Sequence, residues 1–221
     1  MRKIVCVALC LALTPMVFAD LVEGFEDITT LPGAGWVENN LSSPIGTIGY
    51  FQGNLTVFTQ YAGAGYLGVN YNSGASIATL SNWMMTPALT LYNGATVSFY
   101  TRTATGSSWP DRLEVRMSTN GASSDVGTTA TSVGDFTNVL LTVNPSLAAG
   151  GYPEVWTQYT ATISGLSGPT EGRLAFRYYV TDGGPSGSNS NYIGIDSFSY
   201  IVPEPASLVL LALGALSLRR R

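Results

Sequence analysis

The chemistry open to this chain is set first by what it lacks. The sequence has no histidine, its two cysteines are Cys6 and Cys10, and its sole lysine is Lys3. If residues 1–19 are removed on export, as argued below, no histidine-based triad, histidine or cysteine zinc site, or Schiff-base lysine can be built. Carboxylates and aromatic rings remain. A glycosidase needs only two carboxylates roughly 5–9.5 Å apart, yet no spacing among the fourteen acids singles out a pair. The chain is therefore read as non-catalytic, with a polysaccharide hydrolase as an alternative. Four tryptophans and twelve tyrosines supply flat apolar surface, which suits sugar rings and core neighbours alike. Trp109 stands before Pro110 and after the loop residues Gly106, Ser107 and Ser108. It is the tryptophan expected to be exposed, and the candidate ligand-stacking residue of a carbohydrate-binding module. The competing reading is loop packing. Trp83, in Asn-Trp-Met-Met-Thr-Pro, reads as a buried strand end.

Charge narrows the partners. Residues 20–205 hold five arginines and all fourteen acids, a net of −9. Such a surface repels nucleic acid, because phosphate binding needs clustered cations. It suits solubility outside the cell, or calcium.

Both ends of the chain read as addresses rather than fold. Arg2 and Lys3 precede an apolar run over 4–13, Pro15 breaks it, and Val17 and Ala19 supply small residues at −3 and −1. That is a secretory signal peptide, with cleavage expected between Ala19 and Asp20. A short core helix and a lipoprotein modified at Cys10 are the weaker readings. At the other end, Pro203-Glu204-Pro205 precedes an apolar run over 206–218, and Arg219, Arg220 and Arg221 follow. Thirteen helical residues reach about 20 Å, against a hydrocarbon core of about 30 Å. The prolines block extension toward the N-terminus. A permanent span is doubtful on that length, whereas a temporary one with local thinning fits. The arginines would then stay on the cytoplasmic side. A C-terminal core helix is the competing reading.

The elements between these ends are strands. Leu113, Val115 and Met117 share one face of an alternating run, and Leu174, Phe176, Tyr178 and Val180 share another. Residues 96–101 alternate likewise. Period two with one apolar face marks half-buried strands. Arg112, Glu114 and Arg116 lie opposite Leu113–Met117. One reading is a charge ladder across neighbouring strands, with Asp111 nearby. The favoured reading is an exposed face with weak ion pairs, and Arg177 reads the same way. Asn93-Gly94 and Asn120-Gly121 suit tight hairpins, and residues 182–191 read as a loop within the domain. Short strands without a helical period predict an antiparallel β-sandwich over residues 20–202.

Two family resemblances follow from these motifs. The ordered tail, Pro203-Glu204-Pro205, then 206–218, then Arg219-Arg220-Arg221, resembles the PEP-CTERM sorting signal of bacterial exported proteins. The resemblance implies a tail held transiently in the inner membrane and cut near the PEP by an exosortase, in bacteria that make exopolysaccharide. The body resembles the choice-of-anchor J domain, related to cleaved-adhesin and MAM-like jelly rolls. Residues 23–27 (EGFED), 81–87 (SNWMMTP), 99–103 (FYTRT), 110–116 (PDRLEVR), 172–178 (GRLAFRY) and 192–196 (YIGID) carry it. It implies a jelly-roll-type β-sandwich on the cell surface and names no substrate. It also implies a structural Ca²⁺ near the first and last strands, with Glu26, Asp27 and Asp196 as candidate ligands among the six to eight oxygens the ion requires.

These readings combine into one expectation: a signal helix over 1–19, a jelly-roll sandwich over 20–202 and a short hydrophobic helix within 203–221. The protein is expected to leave by the export machinery, rest transiently in the inner membrane, and be processed by an exosortase-type enzyme. Its expected place is the cell surface or matrix, with an adhesive or structural role in exopolysaccharide or biofilm.

Overall fold

The computed structural model describes residues 20–203. The signal segment 1–19 and the tail residues from Glu204 onward, including Arg219, Arg220 and Arg221, lie outside the described residues. Asp20–Pro203 forms one compact unit. Among the described residues no helix is long and apolar enough to cross a membrane.

Two antiparallel sheets make the fold. The first runs β11 (Thr157–Thr162), β8 (Thr96–Thr103), β13 (Tyr192–Ile201), β5 (Leu67–Asn70), β4 (Phe51–Gln52), and β1 (Leu21–Glu23) pairs with the far half of β13. The second runs β10 (Asn138–Val143), β9 (Leu113–Ser118), β12 (Thr170–Gly183), β6 (Gly74–Met85), β2 (Val37–Asn40). There β3 (Ser43–Ile45) joins β6 and β7 (Leu89–Leu91) joins β12. Two single-turn 3₁₀ helices, Ile28–Thr30 and Tyr71–Ser73, are the only helical turns among the described residues.

The alternation read from the sequence sets which face is buried. Leu113, Val115 and Met117 turn inward, as do Leu174, Phe176, Tyr178 and Val180, each no more than a few per cent exposed. Val97, Phe99, Phe198 and Tyr200 of the first sheet are buried likewise. Phe176 bridges the layers, with its ring 5.0 Å from Phe99 and 5.6 Å from Phe198. Such edge-on ring packing adds to the burial that drives the sandwich together.

Two expectations need correction. Asn93-Gly94 does turn at positive φ, but it joins β7 in one sheet to β8 in the other. Asn120-Gly121 likewise turns, yet β9 meets its partner β10 only after the long loop 119–137. An Asn-Gly pair fixes a backbone turn and leaves the next partner strand open.

The second correction concerns the arginine face, which is covered rather than exposed. The loop 119–137 lies over it, and Val126 and Phe136 pack on Trp83, Met85 and Ala175. Arg177 is only 1% exposed. Its guanidinium donates to Ser81 Oγ, Glu114 Oε2, and the carbonyls of Ala130 and Ser132. It also lies over the rings of Tyr179 (3.8 Å) and Trp83 (4.8 Å). Arg116 closes the network, pairing with Glu114 at 2.6 Å and donating to the Phe136 carbonyl. Planar guanidinium groups thus hold the loop onto the sheet, satisfying carbonyls that the loop would otherwise bury unpaired.

Candidate functional site

At the end of the sandwich where β13 begins, three loops enclose a cleft of about 500 Å³ lined by Tyr71, Trp109, Gly184, Pro185, Gly187, Ser190 and Asn191. Trp109 is 52% exposed and Tyr71 37% exposed. Two large rings left open to water beside one cleft are unusual for core builders and suit a flat apolar ligand.

Each loop has a local reason for its shape. Tyr71 opens a 3₁₀ turn capped by Asn70, whose side chain accepts the Asn72 amide at 2.8 Å. Trp109 sits on the β8–β9 connection, where Ser107 Oγ donates to the Trp109 carbonyl. The β12–β13 connection closes on itself. Asn189 donates its backbone amide to the Asp182 carbonyl, and Gly184 donates to Ser190 Oγ. Gly184 has φ +88, and a Cβ there would stand 2.2 Å from the Ser76 carbonyl oxygen. A side chain is excluded twice over, by backbone conformation and by space.

The three loops are tied through Asn191 and Asp111. The Asn191 carbonyl accepts the Tyr71 amide, and its Nδ2 donates to Ser107 Oγ at 2.8 Å. Its own backbone amide donates to Asp111 Oδ1. Asp111 is fully buried, and it also accepts from the Tyr178 hydroxyl at 2.6 Å and the Thr103 hydroxyl at 2.7 Å. Burial pushes its carboxyl above the ordinary range, while these three bonds pull the other way. Tyr178 is held well above its usual range, first by burial and then by the charge of Asp111. Neither of these two residues reaches the lining. They fix the frame on which Trp109 is carried, which sequence reasoning missed. No feature of the sequence marks Asp111 for this role, and only the fold gives it three donors.

The remaining candidates lie apart from this cleft, on the first sheet's outer face and its rim. Asp196 Oδ2 accepts the amides of Tyr61 and Ala62, and Glu26 Oε2 accepts those of Ala64 and Gly65. The two acids are brought together in one sense: they hold opposite ends of the same short loop. Asp27 is turned away, and its Oδ1 caps the 3₁₀ turn by accepting the Thr29 amide and hydroxyl. Burial raises the Asp196 carboxyl, and the loop amides oppose that. A calcium ion needs oxygens around it, whereas both Glu26 and Asp196 are met by N–H groups. Among the described residues no three acids gather into a metal-holding group. Beside the loop, Tyr61 stacks on Tyr100 at 3.6 Å, and Arg102 lies over Phe58.

The sorting residues meet the fold at its other end. Asp20 Oδ1 accepts the Val202 amide at 2.9 Å, and Pro203 is the last described residue. From Val202 onward the sequence has a recognised counterpart. Residues 202–221 match the PEP-CTERM protein-sorting motif. The PEP-CTERM signal marks the chain as an exported protein with a surface or extracellular destination, processed by an exosortase-type enzyme. The sandwich is similar to the K1 cleaved adhesin domain of Lys-gingipain from Porphyromonas gingivalis W83. The two share 22% identity and a TM-score of 0.58, over 84% of this chain and 99% of that one. The K2 cleaved adhesin domain of Lys-gingipain matches at 19% identity and TM-score 0.56, over 83% of this chain and all of that one. At these identities the likeness establishes a shared β-sandwich fold. No curated protein sequence matches the chain.

Proposed function

We propose that this PEP-CTERM protein is a non-catalytic surface module, a jelly-roll sandwich that holds glycan by stacking sugar rings on Trp109 and Tyr71. The observation that carries the reading is the cleft itself: two exposed rings flank it, and hydrogen-bonded loops brace it beneath. Its lining contains no carboxylate, which favours holding a polysaccharide over hydrolysing one. The tail, short for a permanent span, would hold the protein transiently in the inner membrane until an exosortase releases it. The role at the surface is adhesion within exopolysaccharide or biofilm. The adhesin name of its structural neighbours agrees with that role.

The test is a glycan array probed with the exported protein and its Trp109→Ala variant. Loss of the ring is expected to weaken binding roughly tenfold, about 1.4 kcal/mol, without changing the melting midpoint. Equal binding by a folded Trp109→Ala variant would overturn the reading. The sorting half is tested by the mass of the mature C-terminus. A surface form that still ends at Arg221 would exclude processing.

A further inference from the structure

We infer that the Trp109 cleft takes neutral glycan chains and rejects uronate or sulfated ones, an inference that rests on the sugar-stacking reading above. The lining offers two rings, the Asn191 amide, a serine hydroxyl and glycine backbone, with no cation among them. A sugar carboxylate or sulfate seated there would lose water and gain no opposite charge.

The cations of the domain are fixed by hydrogen bonds away from the lining. The described residues contain five arginines and no lysine or histidine, and every arginine is engaged in the fold. Arg177 and Arg116 hold the 119–137 loop through Glu114 and loop carbonyls. Arg112 donates to the Tyr179 and Pro145 carbonyls and lies over the Tyr179 ring. Arg173 donates to the Ala122, Gly35 and Thr86 carbonyls. Arg102 donates to the Thr103 carbonyl and Thr105 hydroxyl while covering Phe58.

What charge the site does feel is negative. The Asp111 carboxylate lies behind Asn191, one hydrogen bond from its backbone. Exposed Asp182 lies near the end of β12, just before the connection that supplies Gly184 to Asn191. An anionic chain therefore meets an uncompensated desolvation cost in a cleft that has the Asp111 carboxylate behind it and no cation in its lining. A neutral chain meets the Trp109 and Tyr71 rings for its apolar faces and the partly exposed Asn191 side chain for its own hydroxyls.

The experiment is affinity electrophoresis of the full exported protein in gels containing xylan, galactan or mannan, against polygalacturonate or alginate. The expected result is retardation by at least one neutral polymer and none by the uronates, unchanged between low and physiological salt. Trp109→Ala is expected to reduce the retardation in line with a roughly tenfold weaker affinity. Pro185→Arg, which sets a cation on the exposed rim, is expected to confer uronate retardation that salt weakens. Trp109-dependent retardation of the unmodified protein by a uronate polymer would overturn the inference while leaving sugar stacking intact. Retardation by none of the polymers would remove the sugar reading and this inference with it.

Discussion

Asp20 and Val202 are joined by a hydrogen bond of 2.9 Å across 182 positions of chain. The bond lies beyond the β1–β13 pairing, in which Leu21 faces Tyr200, so both ends of the sandwich are fastened at one place. That place is also where the matched sorting motif begins. The cleft lies at the opposite end of the same strand, because β13 starts next to Asn191 and spans ten residues, roughly 33 Å at strand rise. The cleft and the start of the matched motif thus lie at opposite ends of one strand. Removing the acceptor should loosen the tail end alone. Asp20→Ala is expected to speed hydrogen exchange at the Val202 amide and proteolysis near Pro203, with exchange at Ile193 and Ile195 unchanged. Equal exchange at Val202 in both proteins would show that the bond holds nothing.

Arg177 is the side chain whose loss should cost most. Truncation to alanine would orphan the carbonyls of Ala130 and Ser132, strip Glu114 of one of its two partners, and leave a void beside Trp83 and Tyr179. Breaking such a buried charged network is expected to cost roughly 3–5 kcal/mol. Urea unfolding should show the midpoint fall, and limited proteolysis should first cut the 119–137 loop. A cost below about 1 kcal/mol, the value of an exposed pair, would mean the loop is held by Phe136 and Val126 without the arginine.

That same residue marks where the sequence stopped being legible. Alternation located the strands because a side chain's face follows directly from its position along the strand. It gave the inward rows of β9 and β12 and the buried Trp83 correctly. It could not say what lies on a strand's other face. Arg177, Glu114 and Arg116 alternate as an exposed ladder would, and only the return of loop 119–137 buries them. Asn93-Gly94 misled for a related reason, since a turn dipeptide carries no information about which sheet comes next. Trp109 was legible as an exposed ring from its Gly-Ser-Ser-Trp-Pro setting. Its partner Tyr71 and its support Asp111 were not, because they arrive from distant loops.

Asp111 should make stability depend on pH in an uncommon direction. Burial raises its folded-state pKa above the ordinary carboxylate value of 3.8, so the folded protein binds the proton more readily than the unfolded chain. Its contribution is then most favourable below that ordinary value. It declines as pH rises from there to the raised value, and is constant above. Asp111→Asn does not titrate. The free-energy gap between wild type and Asp111→Asn, measured by urea unfolding, is therefore expected to be larger at pH 4 than at pH 7. A gap that widens toward neutral pH would mean the three hydrogen bonds outweigh burial and hold the carboxyl below its ordinary range.

Calcium gives the last prediction. A cation bound only to the folded state at a hundredfold its Kd would add about 2.7 kcal/mol and raise the melting midpoint by several degrees. Glu26 and Asp196 are instead filled by the amides of the loop from Tyr61 to Gly65, and Asp27 serves Thr29. Saturating calcium, followed by chelator, is thus expected to leave the midpoint unmoved. Glu26→Gln should loosen the loop in either solution, because a neutral amide oxygen accepts backbone N–H groups more weakly than a carboxylate does. Hydrogen exchange at Ala64 and Gly65 reads that loosening directly. A calcium-dependent rise in midpoint that disappears in Glu26→Gln would show the loop yielding its amides and the acids turning to the metal.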